Sequence, residues 1–179
     1  AGTMGLYTSY KNLNEAYDSL SEEMYGKNIL LLTQGKGLSR SAMLKEFQKN
    51  KDSVLFGTNS FWEGIDVPGE SLQLLILYKL PFMVPSEPIV EAYLEKLEAE
   101  GKNSFMHYML PNALLKYRQG FGRLIRHKTD RGVVLVLDNR IFTKRYGHYF
   151  KDTIPARTFI PQTDIEIYDH LSKWFKKRR

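Results

Sequence analysis

An α/β domain built around a mostly parallel sheet is the fold class that this sequence predicts, and three observations carry it. Continuous apolar runs of strand length recur in "NILLLT" (28–33), "SVLFGT" (53–58), "LQLLILYKL" (72–80) and "GVVLVLD" (132–138), the pattern of strands buried on both faces. Stretches with apolar residues at helical spacing fall between them, so helix and strand alternate. No internal repeat, low-complexity segment or linker divides the 179 residues, of which 42% are hydrophobic and 13% aromatic, enough for one buried core. One compact domain over 1–179 is expected.

The elements follow in order. "MGLYTSY", from Met4, reads as a short buried strand, and "NLNEAYDSL" after it has helical apolar spacing. "NILLLT" is the second strand. "SRSAMLKEFQKN" (39–50) is a helix for which Ser39 is the N-cap, because its hydroxyl can accept from an otherwise orphaned amide ahead of Met43, Leu44 and Phe47. "SVLFGT" and "LQLLILYKL" are the next two strands. "EPIVEAYLEKLEAE" (87–100) is a helix opened by Pro88 and ended by Gly101, with Ile89, Tyr93, Leu94 and Leu97 as its apolar positions. A further helix starts near Pro111 and runs toward "RQGFGRLIRH" (118–127), "GVVLVLD" supplies the most strand-like run, and "DIEIYDHLSKWF" closes the chain as an amphipathic helix.

Composition narrows the chemistry. Zero cysteines exclude disulfides, thiolate metal sites and a cysteine nucleophile within this segment. There is no run of about 18 apolar residues and no basic stretch leading into an apolar one, so the sequence predicts no membrane association and a cytoplasmic location. The formal charge of +6 is weak support for nucleic-acid binding, because Lys176, Lys177, Arg178 and Arg179 supply +4 of it as a short solvated tail.

Three constellations could carry chemistry. If residues 111–126 remain helical, Gln119, Arg123 and Arg126 fall at i, i+4 and i+7 on one face. Two planar guanidiniums there suit polyphosphate oxygens, although pairing with surface carboxylates explains the same spacing. Gly120 and Gly122 each cost roughly 1 kcal/mol in a helix interior, which predicts a close approach at that point. The second constellation, "GTNSFWEGIDVPGESL" (57–72), leaves one strand and enters the next. It places Ser60, Trp62, Glu63 and Asp66 beyond a strand end, where open α/β sheets bind ligands, while Phe61, Trp62 and Ile65 could equally pin a long loop to the core. The third, "TQGKGLSRS" (33–41), lacks the G-x-x-x-x-G-K spacing of a phosphate-binding loop. It still offers Lys36, Ser39, Arg40 and backbone amides to a nucleic-acid strand, or is a plain strand-to-helix turn. His107, His127, His148 and His170 show no metal-ligand spacing, and Asp138 either serves a hydrolytic site, with Asp66 as partner in a metal-dependent nuclease, or organises the turn at Asn139 and Arg140.

"SFWEGIDVPG" followed about 50 residues later by "QGFGRLIRH" resembles the last two motifs of the DinG/XPD-like superfamily 2 DNA helicases, closest to the bacterial DinG branch. The likeness extends through "GLYTSYKNLNEAYDSL", "LLTQGKG", the stretch from "LPF" to "YMLPNALLKYRQGFGR", and "DRGVVLVLDNRI". It implies a RecA-like, P-loop-NTPase-like three-layer fold, the second motor domain of a helicase, with residues 81–118 as a helical insertion between the two motifs. ATP and Mg2+ would be held mainly by the first RecA-like domain of the same chain, which carries the Walker A lysine. By the same resemblance Arg123 and Arg126 are arginine fingers, Gln119 orders their helix near the nucleotide, and Glu63, Gly64 and Asp66 line the cleft. Single-stranded DNA would be contacted by Gln34, Lys36, Ser39 and Arg40 and by Ser60, mainly at phosphates. The implied function is that of an ATP-dependent DNA helicase, with this segment inactive alone. A non-catalytic nucleic-acid-binding docking module of the same shape is the alternative.

Overall fold

The computed structural model describes residues 2–58, 61, 71–125, 127 and 130–176. Five strands form its sheet: β1 (Thr3–Leu6), β2 (Leu30–Thr33), β3 (Ser53–Gly57), β4 (Leu74–Leu77) and β5 (Val133–Val136). They lie in the order β2-β3-β1-β4-β5, and every neighbouring pair is parallel. Each predicted strand is present but shorter than its apolar run, because ladder pairing ends where the chain must turn toward a helix.

Side-chain alternation along the strands assigns the two faces. On one, Met4, Leu6, Leu32, Leu55, Leu75 and Leu77 meet helix α2 (Arg40–Lys49) through Met43 and Phe47, and helix α4 (Leu110–Leu124) through Leu110, Ala113, Tyr117 and Leu124. Phe47 is fully buried, a burden of apolar area that stabilises the fold by about 2 kcal/mol. On the other face, Tyr7, Phe56, Leu31 and Val54 meet helix α1 (Tyr10–Gly26) through Leu13, Ala16, Tyr17 and Leu20. Helices cover both faces, which is the three-layer arrangement that the family resemblance implies.

Capping agrees with the sequence. Ser39 caps α2 by accepting from the Ala42 amide at 3.3 Å, and Ser9, which the sequence reading did not single out, caps α1 by accepting from the Asn12 amide at 3.3 Å. Helix α3 (Pro88–Ala99) begins on its proline, which needs no hydrogen bond there. Between α3 and α4 lies a π-helical turn, Phe105–Met109, that the apolar spacing did not indicate. Two short helices after β5, α5 (Arg140–Thr143) and α6 (Gly147–Thr153), were also not legible, being too short to show a period. They join the core through Ile141 and Phe150. Helix α7 (Asp164–Lys176) is the predicted closing helix, with no fully buried residue.

Asp138 belongs to this framework. Its buried carboxylate accepts from the Leu80 amide at 2.9 Å, the Arg140 amide at 3.0 Å and the Arg140 guanidinium at 2.6 Å, tying the segment after β4 to the turn after β5. Burial alone would raise this carboxyl, but the guanidinium and the two amides outweigh it and hold it below the usual carboxylate range. Asp138 therefore organises the turn, and every acceptor position it turns inward is used by the scaffold.

Candidate functional site

Two regions at opposite edges of the sheet hold the candidate residues. At the carboxyl edge, β2 and β3 are adjacent and in register from Leu30 and Ser53 to Thr33 and Phe56, so the chains leaving them emerge side by side. The Gln34 amide extends the ladder by donating to the Phe56 carbonyl at 2.9 Å. The turn then reverses through Gly35 (φ 90°) and Gly37 (φ 77°), left-handed positions that strain any L side chain and that place Lys36 at the exposed tip between them.

Lys36, Ser39, Arg40 and Gln34 of this loop each have a definite neighbour. The Lys36 ammonium lies 3.1 Å from the Asp18 carboxylate and 3.8 Å from the centre of the Tyr17 ring, both on α1. Lys36 and Asp18 are 43% and 70% exposed, so water screens the pair and it exchanges readily for another anion. Ser39 caps α2 and stands 3.2 Å from the Ser41 hydroxyl. Arg40 opens α2 with its guanidinium 5.2 Å from the centre of the Phe61 ring. The Gln34 side chain faces neighbouring protein: its Oε1 accepts from the Thr58 amide at 2.8 Å and from the Thr58 hydroxyl at 2.9 Å, and its Nε2 donates to the Tyr10 hydroxyl at 2.6 Å.

The segment after β3 starts from Thr58, which is buried. Phe61 donates its amide to the Thr58 carbonyl at 2.8 Å and packs against Gly57, where a Cβ would come within 2.6 Å of the ring. Phe61 is thus an anchor in the core, as its apolar character suggested. Ser60, Trp62, Glu63, Gly64, Ile65 and Asp66 lie outside the described residues. The described ends of the segment stand at opposite edges: Thr58 follows the carboxyl end of β3, and Ser71 packs against Gly2 at the amino end of β1.

Arg123 sits at the amino edge. Helix α4 buries Ala113, Tyr117, Gly120 and Leu124 along one stripe, and Gln119 and Arg123 share the neighbouring face at i, i+4. Gln119 is exposed and Arg123 half-buried, with its Nε sequestered from solvent. Leu124 packs on Gly132 just ahead of β5, which places the last turn of α4 beside the amino end of that strand. The helix does not continue to Arg126. Ile125, with φ −120° and ψ 106°, is already extended, and Arg126 itself lies outside the described residues. Gly120 falls on the buried stripe, but among the described residues nothing comes within 4 Å of a Cβ built at Gly122. Gly122→Ala is expected to raise the stability of this chain by about 0.5–1 kcal/mol, read from its denaturant midpoint, because helical alanine meets no obstacle there.

Thus the chain brings Gln34, Lys36, Ser39 and Arg40 together with Thr58 and Phe61 at one edge, and holds Gln119 and Arg123 at the other. The partners of this loop on α1, namely Tyr10, Tyr17 and Asp18, carried no signal in the sequence, since their roles depend on how α1 crosses β2 and β3. Among the described residues no group of three His, Asp or Glu side chains could hold a metal ion, and no helix is long and apolar enough to cross a membrane.

Comparison with known proteins fits this geometry. The family model described as helicase C-terminal domain matches residues 1–157. The chain is 39% identical over 168 residues to the 3'-5' exonuclease DinG of Bacillus subtilis, covering 93% of this chain and 18% of that protein. It is 43% identical over 154 residues to the ATP-dependent DNA helicase DinG of Photobacterium profundum, and 40% identical over 150 residues to the ATP-dependent DNA helicase YoaA of Haemophilus influenzae. Those matches cover 84% of this chain and 22% and 23% of the relatives, so the chain spans about a fifth of the length of the curated relatives it matches. Among solved structures, Xpd4 of S. tokodaii superposes with a TM-score of 0.56 at 21% identity, over 84% of this chain and 28% of the other. Domain 2 of the DEAD-box helicase Mss116p, solved with an RNA duplex, gives 0.50 at 18% identity, over 91% and 53%. The fold is that of a RecA-like helicase domain.

Proposed function

Because this chain belongs to the helicase C-terminal domain family, we propose that it is the second motor domain of a DinG-like, ATP-dependent DNA helicase, and that residues 1–179 fold as that one domain. The observation that carries the reading is Arg123, half-buried in the last turn of α4 next to Gly122, where a Cβ meets nothing within 4 Å among the described residues. A guanidinium held in this way is oriented in advance, so it can meet a phosphate presented from outside without first losing rotamer freedom. ATP would lie between this edge and the preceding RecA-like domain, with Arg123 and Arg126 completing its phosphate shell, Gln119 ordering the end of α4, and Glu63, Gly64 and Asp66 lining the cleft.

Following the same resemblance, we assign Mg2+ to the preceding domain and route no step through it. At the other edge Lys36, Ser39, Arg40 and Ser60 would meet the phosphates of single-stranded DNA. Lys36 would exchange Asp18 for a phosphate, and the amino end of α2 adds favourable partial charge. Separation of the two regions supports a motor, because a nucleotide-driven closure at one edge can move a DNA contact at the other. A cytoplasmic location is part of the same proposal.

The test uses the 179-residue chain and the full-length protein side by side. The chain alone is expected to show no ATP turnover above background, and the full-length protein to turn ATP over in a DNA-stimulated manner. Turnover by the chain alone would overturn the assignment of the phosphate cradle to another domain.

A further inference from the structure

Tyr10 opens α1 beside the loop after β2, and it remains 51% exposed although the loop holds it at two points. Its hydroxyl accepts from Gln34 Nε2 at 2.6 Å, and the left-handed Gly35 lies alongside, a Cβ built there reaching 3.7 Å from Tyr10 Cε1. The ring is therefore oriented before any ligand arrives. Other tyrosines on this side of the sheet have their rings occupied: Tyr7 packs on Phe56 and Tyr78, and Tyr17 carries the Lys36 ammonium at 3.8 Å. Among the described residues no aromatic ring and no cation packs over Tyr10. A fixed and exposed aromatic ring next to a basic loop is the combination that binds single-stranded nucleic acid, the ring taking a base and the cations its backbone.

Tyr10 and Tyr17 lie two turns apart on one face of α1, about 10 Å along its axis. A phosphate that takes the place of Asp18 on Lys36 sits beside Tyr17, within reach of a nucleotide whose base lies on Tyr10. We infer that Tyr10 is the stacking platform for one base of the bound strand, and that it is the residue of this edge that selects single-stranded over duplex DNA. This deepens the helicase reading and rests on it. Lys36, Ser39 and Arg40 would touch phosphates, which both forms of DNA present, whereas the face of a base is accessible only where the duplex stack is absent. Every base has such a face, so the platform adds affinity without reading sequence. Gln34 supports the platform through the hydroxyl, and the ring itself supplies the affinity.

The test measures binding by the full-length protein to an oligothymidylate strand, to a strand of equal length made wholly of abasic sites, and to a blunt duplex, with the folding of each variant checked by thermal melting. Tyr10→Leu keeps the apolar bulk but has no aromatic face, and it is expected to bind oligothymidylate at least about fivefold more weakly, the lower end of the loss for a deleted stacking contact. Its affinity for the abasic strand and the duplex is expected to stay within about twofold of the unsubstituted protein, and its salt dependence to be unchanged, because no phosphate contact is lost. Tyr10→Phe keeps the face and loses only the bond to Gln34, so it is expected to retain most of the oligothymidylate affinity. Equal losses by Tyr10→Leu on the oligothymidylate and abasic strands, or a shallower salt dependence, would overturn the inference. So would unchanged oligothymidylate binding by Tyr10→Leu, or a Tyr10→Phe variant as weak as Tyr10→Leu, which makes the hydroxyl rather than the ring the active part. An unsubstituted protein that binds no single-stranded DNA overturns the helicase reading itself, and this inference with it.

Discussion

Arg123→Ala in the full-length protein is expected to lower the ATP hydrolysis rate by about 10³- to 10⁵-fold, the range over which an arginine finger acts in P-loop enzymes. The effect is large because negative charge develops on the transferred phosphate in a site where little water remains to stabilise it. It is specific to guanidinium: Arg123→Lys should recover only a small part of the rate, since an ammonium cannot present two parallel donors to phosphate oxygens. Burial makes the prediction clean. The side chain is only half-buried at the end of α4, so its loss leaves the stripe of Ala113, Tyr117, Gly120 and Leu124 intact and the variant should melt within a few degrees of the parent. Turnover within about tenfold of the parent would remove Arg123 from the phosphate site and favour a non-catalytic docking domain.

Asp138→Ala is expected to cost about 2–4 kcal/mol, seen as a melting temperature lower by about 5–15 °C for a domain of this size. The carboxylate is buried, and its removal strands the Leu80 and Arg140 amides and the Arg140 guanidinium in one place. Arg140 is 37% exposed, so water screens part of the loss and the figure stays below that for a fully buried pair. The same carboxyl sets an acid limit. Its pKa is lower when folded than when unfolded, so its contribution is complete above the unfolded value near 4 and disappears as pH falls through the depressed folded value. Asp138→Asn should flatten that acid limb of a stability-versus-pH profile, and an unchanged limb would remove Asp138 as its source. A phosphodiesterase role for Asp138 is not compatible with this bonding, because a carboxylate that fastens β4 to α5 has no inward oxygen left for a metal or a water.

How much could be read in advance differed by element. The five strands announced themselves because a buried parallel strand must be apolar at almost every position, as in "VVLV" and "LLIL". Helices α1, α2, α3, α4 and α7 showed through spacing and caps, both of which depend on neighbours within about four residues. The π-helical turn and α5 and α6 did not, since their register is imposed by packing of Phe82, Phe105, Tyr146 and Phe150 against one another. The end of α4 at Leu124 was likewise not legible. No residue of "RLI" is a strong helix breaker, and α4 ends where Leu124 is seated on Gly132.

The chemistry of the chain was enough to establish the α/β layering and the family, because apolar periodicity and motif spacing are local or nearly local properties of the string. It could group Gln34 with Lys36, Ser39 and Arg40 as neighbours in one loop, and Gln119 with Arg123 as neighbours on one helix face. Only the packed molecule separated these groups to opposite edges of the sheet, turned the amide of Gln34 onto Thr58 and Tyr10, and closed Asp138 over Leu80, 58 residues away. Such contacts join residues that share no sequence period, so their partners exist only once the strands have set the distance between them.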